Sequence, residues 1–453
     1  MGGLNRRGWC GLILATLIVL TTFTPQFRSA VAFPKAIKLP VGECHSLRLN
    51  LPFPAAVRLR QGSGLKLNNR WLTGQPAGIS LSGPLTLESA RPGRTEMEFL
   101  LFGIPWKRVV VNAKVPERIV PGGHSIGVLL TSQGIIVVGY DNLSASPGRP
   151  RSPARDAGIT TGDLLLEADG KALVTITDLA QAVERAGREG RSVRIKLQRG
   201  ADTHLVEVDP LPSPGNHYRI GLYVRDGANG VGTLSFYDPL TGYYGALGHV
   251  ITDPDTGTPL PIREGSIVKA LISSITAGVR GHPGEKIGVF QPEENTWGDI
   301  SANTEFGIFG QLNMPLRNPY FEEPIPVALA GEVHPGPAEM YTVLERDRVD
   351  RFQIEIERVL NRETPSDKGL VLCITDPTLL RKSGGIVQGM SGSPIIQDGK
   401  LAGIVTHVFV NDPSHGFGVL AEWMVEKSKR LAEGTVFVPS LFIADLSADV
   451  FAN

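Results

Sequence analysis

Residues 386–394 read IVQGMSGSP, and from Ser393 the chain continues SPIIQDGKLAGIVTHVFV. Two apolar runs rich in branched residues flank an Asp-Gly turn, which is the pattern of a β-hairpin. A serine on a strand-to-helix elbow needs a helix directly after it; here a strand follows. Gly389 and Gly392 on either side of Ser391 permit a strained turn and a close backbone approach. With 53 glycines in the chain, the string G-x-S-G is a weak signal by itself. Its value depends on the fold around it and on the histidines and carboxylates that fold supplies.

Working outward, residues 213–453 are short strands and turns without alternating βαβ units, which fits a pair of β-barrels better than a doubly wound sheet. A chain of 453 residues is long enough for about three domains, and 53 Gly and 34 Pro point to many strands joined by turns. The predicted fold class is mainly β. Lys plus Arg and Asp plus Glu are 45 each, so no net field favours nucleic acid or anionic lipid.

Residues 1–32 are a different material. Arg6 and Arg7 precede an apolar run from Trp9 to Phe23, and Ala30, Val31 and Ala32 then supply small residues, the order of a secretory signal. At about 15 residues the run is short for a bilayer-spanning helix, so cleavage after Ala32 is expected over permanent anchoring. Cys44 and Cys373 would then remain, permitting one disulfide without demanding it. Residues 33–117 alternate apolar and polar in short runs such as HSLRLNL and MEFLLF and read as a small all-β domain without a catalytic cluster.

Residues 118–212 hold the stretch AGITTGDLLLEADGK and the helix-period segment TDLAQAVERAG. This part resembles a bacterial PDZ domain. The resemblance implies that Ser125, Ile126, Gly127 and Val128 form the loop whose backbone N–H groups capture a peptide end or strand. Gly123 to Gly127 also spell G-x-S-x-G, but strand-like sequence after Val128 argues against a nucleophilic Ser125.

A serine at the mouth of a hairpin suits a chymotrypsin-like barrel, where the N–H groups of Gly389 and Ser391 would face a developing oxyanion. A serine hydroxyl needs a base. Of nine histidines, His249 in YYGALGHVITD lies at a strand end among small residues, whereas His407 and His415 read as cleft-wall residues. GALGHVITD, LVLCITDPTLL and GGIVQGMSGSPIIQDGK, with the PDZ-like part and the N-terminal signal, resemble the stage IV B sporulation peptidase family. That resemblance implies a serine endopeptidase with catalytic residues His249, Asp376 and Ser391. It further implies export from the forespore into the space between two membranes, self-cleavage, and cleavage of a membrane-bound regulator of an intramembrane protease, which leads to activation of a late sigma factor. Asp376 lies unusually close to the serine in sequence. Asp299 and Asp253 are the other candidate acids, and an Asx turn before Pro377 is the plain structural role for Asp376.

A catalytically inactive secreted PDZ scaffold that tethers membrane partners is the competing reading. No cofactor is expected, and no metal: the chain lacks H-E-x-x-H and close Cys or His pairs at zinc spacing.

Overall fold

The computed structural model describes residues 24–48, 53–143, 150–290, 296–360 and 364–434. The apolar run Trp9–Phe23 lies outside them. Among the described residues, no helix is long and apolar enough to cross a membrane. The chain divides into two compact units, one of residues 1–118 with 326–334, the other of 119–325 with 335–453.

The first unit is all β after a short helix, Pro25–Ala32, capped by the Thr24 side chain. Its main sheet carries the long antiparallel pair Gly93–Leu101 and Ile104–Lys114. Alternation along Pro84–Ser89 turns Leu85 and Leu87 inward, as a half-buried strand requires. Phe33, the residue that cleavage after Ala32 would leave first, is buried in this core. It meets Phe99 edge-on at 5.3 Å and Trp106 at 6.4 Å, and its carbonyl accepts a short bond from Lys107 Nζ. The buried carboxylate of Glu98 is held by Arg58, Arg60 and Arg108 at 2.6, 3.0 and 3.1 Å. These partners, Arg58 foremost, bring it down to about 2. Opposite charges on three sides account for it as a structural group.

In the second unit two long strands, Ser125–Tyr140 and Leu222–Tyr237, pair antiparallel along most of their length, with a register shift between Thr131 and Ile136. Beyond the shift, Ile135 and Val137 join a separate core with Leu165, Leu179, Val183 and Ile195. That core includes the helix Ile176–Arg188, which begins with a reciprocal Thr175–Asp178 capping box and buries Leu179, Ala182, Val183 and Ala186. Such a box satisfies two of the orphan N–H groups at the helix start. This is the PDZ-like module; it is inserted between the two long strands and built onto their far ends, which pair Ile136–Tyr140 with Leu222–Arg225. Residues 119–131 therefore pack with the C-terminal region, whereas the sequence reading assigned everything from 118 to the PDZ-like part.

The same pairing corrects the peptide-capture loop. Ser125, Ile126, Gly127 and Val128 are not a loop but the start of a strand with neighbours on both sides. Gly127 pairs with Val231 on one edge and Val268 on the other. Both rows of backbone donors are used, so no peptide strand can be added there. A Cβ on Gly127 would come within 2.8 Å of Phe290 and Val268 side chains. Gly127→Val is expected to lower the thermal midpoint of the whole unit rather than to alter peptide binding selectively; a melt compared with a peptide titration checks this.

C-terminal to the inserted module, the chain forms a branched sheet whose core holds Ile126, Leu234, Tyr244, Ile267 and Ile308. A closed six-stranded barrel follows. Its strands are Gly336–Glu345, Arg348–Val359, Leu370–Ile374, Asp412–Leu420, Lys400–Phe409 and Pro394–Gln397, in order around the barrel. Closure removes every edge. From Phe352 onward Arg348–Val359 shows the period of two, burying Phe352, Ile354 and Ile356.

Candidate active site

Ser391 lies just before the barrel strand Pro394–Gln397, in a turn made by Gly389 at φ +90° and Gly392 at φ +100°. At Gly392 a Cβ would stand 1.9 Å from the Thr233 carbonyl oxygen, so only glycine fits. The turn is tied down on several sides. Thr233 N donates to Ser391 O at 3.0 Å, Gly392 N to Val405 O at 2.8 Å, and Thr233 Oγ1 to Gly389 O at 2.7 Å. The N–H groups of Gly389 and Ser391 have no acceptor among the described residues. Two unpaired donors on one tight turn are what an oxyanion requires.

His249 comes from the other half of the unit, three residues past the strand Tyr243–Ala246. Its Nδ1 is 2.9 Å from the Val250 carbonyl. A carbonyl only accepts, so Nδ1 carries the proton and Nε2 keeps its lone pair. Burial holds the imidazole below its ordinary range, against the field of Asp367, which raises it. The His407 ring lies against it, tilted by 39° with ring centroids 4.9 Å apart. Burial first, and the neighbouring His249 second, bring His407 down to about 4, and its Nδ1 is buried without a partner. Both rings are therefore neutral near pH 7.

Ser391, His249 and His407 line one cleft of about 440 Å³, with Gly389 and Thr406. The Ser391 hydroxyl donates to the Thr406 carbonyl at 2.6 Å. The serine thus rests on a backbone acceptor in the wall of the cleft that it shares with His249. Ser125, by contrast, is 2 % exposed and lies in a paired strand, consistent with its exclusion as a nucleophile.

The structure does not bring Asp376 to this cleft. Its carboxylate caps the helix Pro377–Ser383, accepting from Thr378 N at 2.8 Å and Leu379 N at 3.0 Å. It lines a separate depression with Arg348 and Lys382. The expected orienting acid is, in this geometry, the Asx turn before Pro377. Asp299 accepts from Gln311 N at 2.8 Å, and Asp253 is fully buried against Arg225 while accepting from Asp255 N and Thr256 N. None of the three orients His249. The carboxylate whose field reaches both imidazoles is Asp367, which lies just before the strand Leu370–Ile374 and whose main-chain oxygen accepts from Thr406 Oγ1 at 2.9 Å. In sequence it sits in a polar loop, TPSDKG, with nothing to mark it.

Comparison with known proteins gives two family matches: SpoIVB peptidase S55 over residues 216–425 and a PDZ domain over 145–199. A Synechocystis sp. protein described as serine protease HhoB is 28% identical over 119 residues, 26% of this chain and 26% of its own. A Clostridium perfringens protein described as a zinc metalloprotease is 30% identical over 120 residues, 25% of this chain and 35% of its own. The chain thus spans about a quarter to a third of the length of these relatives. Relatives of two catalytic types match over segments of one size, so those segments do not decide the chemistry. Among solved structures, the active form of the Rv3671c protease from M. tuberculosis is 14% identical, covering 44% of this chain and 73% of its own, at TM-score 0.24. The PDZ domain of the SdrC-like protein from Listeria monocytogenes is 19% identical, covering 20% and 87%, at TM-score 0.17. Scores of this size leave the fold to the strand topology.

Proposed function

Residues 216–425 belong to the SpoIVB peptidase S55 family, and from that premise we propose that the chain is a PDZ-containing serine endopeptidase in which Ser391 is the nucleophile and His249 its general base. One observation carries the reading: His249 and Ser391, from the two halves of one unit, line a single cleft beside two unpaired N–H groups. Ser391 Oγ turns from Thr406 O to the Nε2 of His249 and gives up its proton as it attacks the scissile carbonyl. Gly389 and Ser391 N–H groups stabilise the oxyanion. His249 then protonates the leaving amine, and water releases the acyl group by the same steps in reverse. The Val250 carbonyl sets the tautomer, a task given to a carboxylate in a Ser-His-Asp triad. A fluorophosphonate probe should label the wild-type protein and not Ser391→Ala; equal labelling of both would favour the inactive scaffold.

This arrangement predicts the pH profile and the roles of the acids. Burial lowers the His249 value, so the acid limb of kcat/KM should fall below the ordinary imidazole value of about 6.5. Asp367 opposes that shift, so Asp367→Asn should move the limb to still lower pH with a modest change in rate. Asp376→Asn should retain nearly full activity, because asparagine also caps helices. A loss of about 10⁴-fold in the Asp376→Asn variant would restore it as the orienting acid.

The family supports a finer reading: action during endospore formation, on the chain itself and on a membrane-bound regulator of an intramembrane protease, after export across the forespore membrane. Peptide capture would then belong to the module around the helix Ile176–Arg188. N-terminal sequencing of protein from wild-type and Ser391→Ala cells tests the self-cleavage. Different ends support it, and identical ends remove it.

A further inference from the structure

The sequence, lacking close cysteine and histidine pairs, predicts no metal site, yet the barrel brings three metal-binding side chains together from three neighbouring strands. We propose that Glu357, Cys373 and His415 form a site for a zinc-like divalent cation on the barrel surface, apart from the catalytic cleft. Among the described residues they are the one such group whose ligand atoms all lie within 4.8 Å of one another.

Strand register explains the convergence. Cys373 and His415 are directly paired across adjacent strands, so their side chains project on one face. Glu357 is the extra residue where the register shifts between Ile356 and Arg358, and a bulge of this kind re-aims a side chain. Tetrahedral zinc, with Zn–N and Zn–O near 2.0–2.2 Å, places nitrogen and oxygen ligands roughly 3.3–3.5 Å apart. His415 Nε2 and Glu357 Oε1 are 3.3 Å apart. The Cys373 thiol is held only by a long contact to Ile374 O at 3.8 Å, leaving it free to close on the ion, with the fourth position open to water.

The surroundings already orient the imidazole as a ligand. Asp412 Oδ2 is 2.8 Å from His415 Nδ1, and Asp412 is itself held by Ser414 Oγ at 2.6 Å. Phe409 stacks on the ring, with centroids 6.3 Å apart. A carboxylate on the far nitrogen fixes the tautomer whose lone pair faces the metal, the usual outer support of a zinc histidine. Nδ1 also lies 3.0 Å from Ser414 Oγ. With Nδ1 turned to Asp412 and Ser414, Nε2 and the Glu357 carboxylate face each other beside the Cys373 sulfur, a donor set that suits a thiophilic divalent cation. Binding of a divalent ion through the sulfur displaces the thiol proton, so uptake is coupled to proton release.

The test uses the full chain after chelator treatment, titrated with Co²⁺ and followed by absorption. The expected result is one tetrahedral Co²⁺ with a sulfur-to-cobalt charge-transfer band, bleached by Zn²⁺. Cys373→Ser should lose the band and Cys44→Ser should keep it. Asp412→Asn should keep the band while weakening affinity by about 10–100-fold. Should Cys373→Ser not fold, Asp412→Asn and Glu357→Gln carry the test, both predicted to weaken binding. No band in the wild-type chain, an unchanged band in Cys373→Ser, or unchanged affinity in both carboxylate variants would overturn the proposal. Binding lost instead in His407→Ala would move the metal to the cleft and overturn it as well.

Discussion

Ser391→Ala and His249→Ala are each expected to lower kcat/KM for a peptide substrate by about 10⁴-fold or more, with the double variant no worse than either single one. Nucleophile and base act as a unit, so removing either removes the whole covalent route. The fold should survive both changes. Ser391 gives up one hydrogen bond to Thr406 O, worth about 1 kcal/mol, and His249 is part of a cleft wall. His407, although its ring lies against His249, should not rescue His249→Ala: nothing fixes its tautomer, since its Nδ1 has no partner. Steady-state kinetics together with thermal melts check this. Turnover near wild type in a folded Ser391→Ala protein would end the mechanism.

What the sequence carried, and what it did not, follows from how far apart the interacting residues are in the chain. The hairpin after Ser391 was legible because an Asp-Gly turn and alternating burial are local signals. The helix Ile176–Arg188 was legible from its period alone; its Thr175–Asp178 box came only with the structure. The turns that carry Ser391 and His249 into one cleft were legible because glycines and small residues mark them. Ser125–Val128 misled because glycines before an apolar run also suit a strand flanked on both edges; only the distant strands Leu222–Tyr237 and Ile262–Lys269 decide between loop and strand. Asp376 misled for a different reason. A capping aspartate before proline and a catalytic aspartate at a strand end look alike in one dimension, and the backbone N–H groups of Thr378 and Leu379 win the carboxylate. Glu357, Cys373 and His415 meet only through barrel register, which no local spacing announces.

Lys286 gave no signal at all, and it leads to the second large effect. This residue of the strand Glu285–Val289 is 4 % exposed, and its Nζ meets only hydroxyls: Thr342 at 2.7 Å, Ser125 at 3.4 Å and Thr233 at 3.5 Å. With no carboxylate in contact, burial alone brings it down to about 7. Its stem lies under Gly389, where a Cβ would be 3.1 Å from Lys286 Cβ, and its backbone N donates to Gln388 O at 2.9 Å. The amine therefore sits beneath the turn that holds Ser391. Between pH 7 and about 10.5 the unfolded chain keeps the lysine proton and the folded chain does not, so stability rises with pH across that window by up to about 1.4 kcal/mol per unit. Below pH 7 both states are protonated and the cost of the buried charge is fully present, on the order of 5 kcal/mol as an upper bound. Lys286→Met keeps the stem and removes the charge. It should be more stable than wild type near pH 6, with the difference shrinking as pH rises towards 10. Tyrosines such as Tyr244, raised by burial, titrate at high pH in both proteins and cancel in the comparison. Denaturant unfolding of the two proteins at several pH values measures the difference directly. A stability difference that does not change with pH would mean that the amine is not forced towards neutrality, and that the turn beneath Ser391 tolerates a buried ammonium.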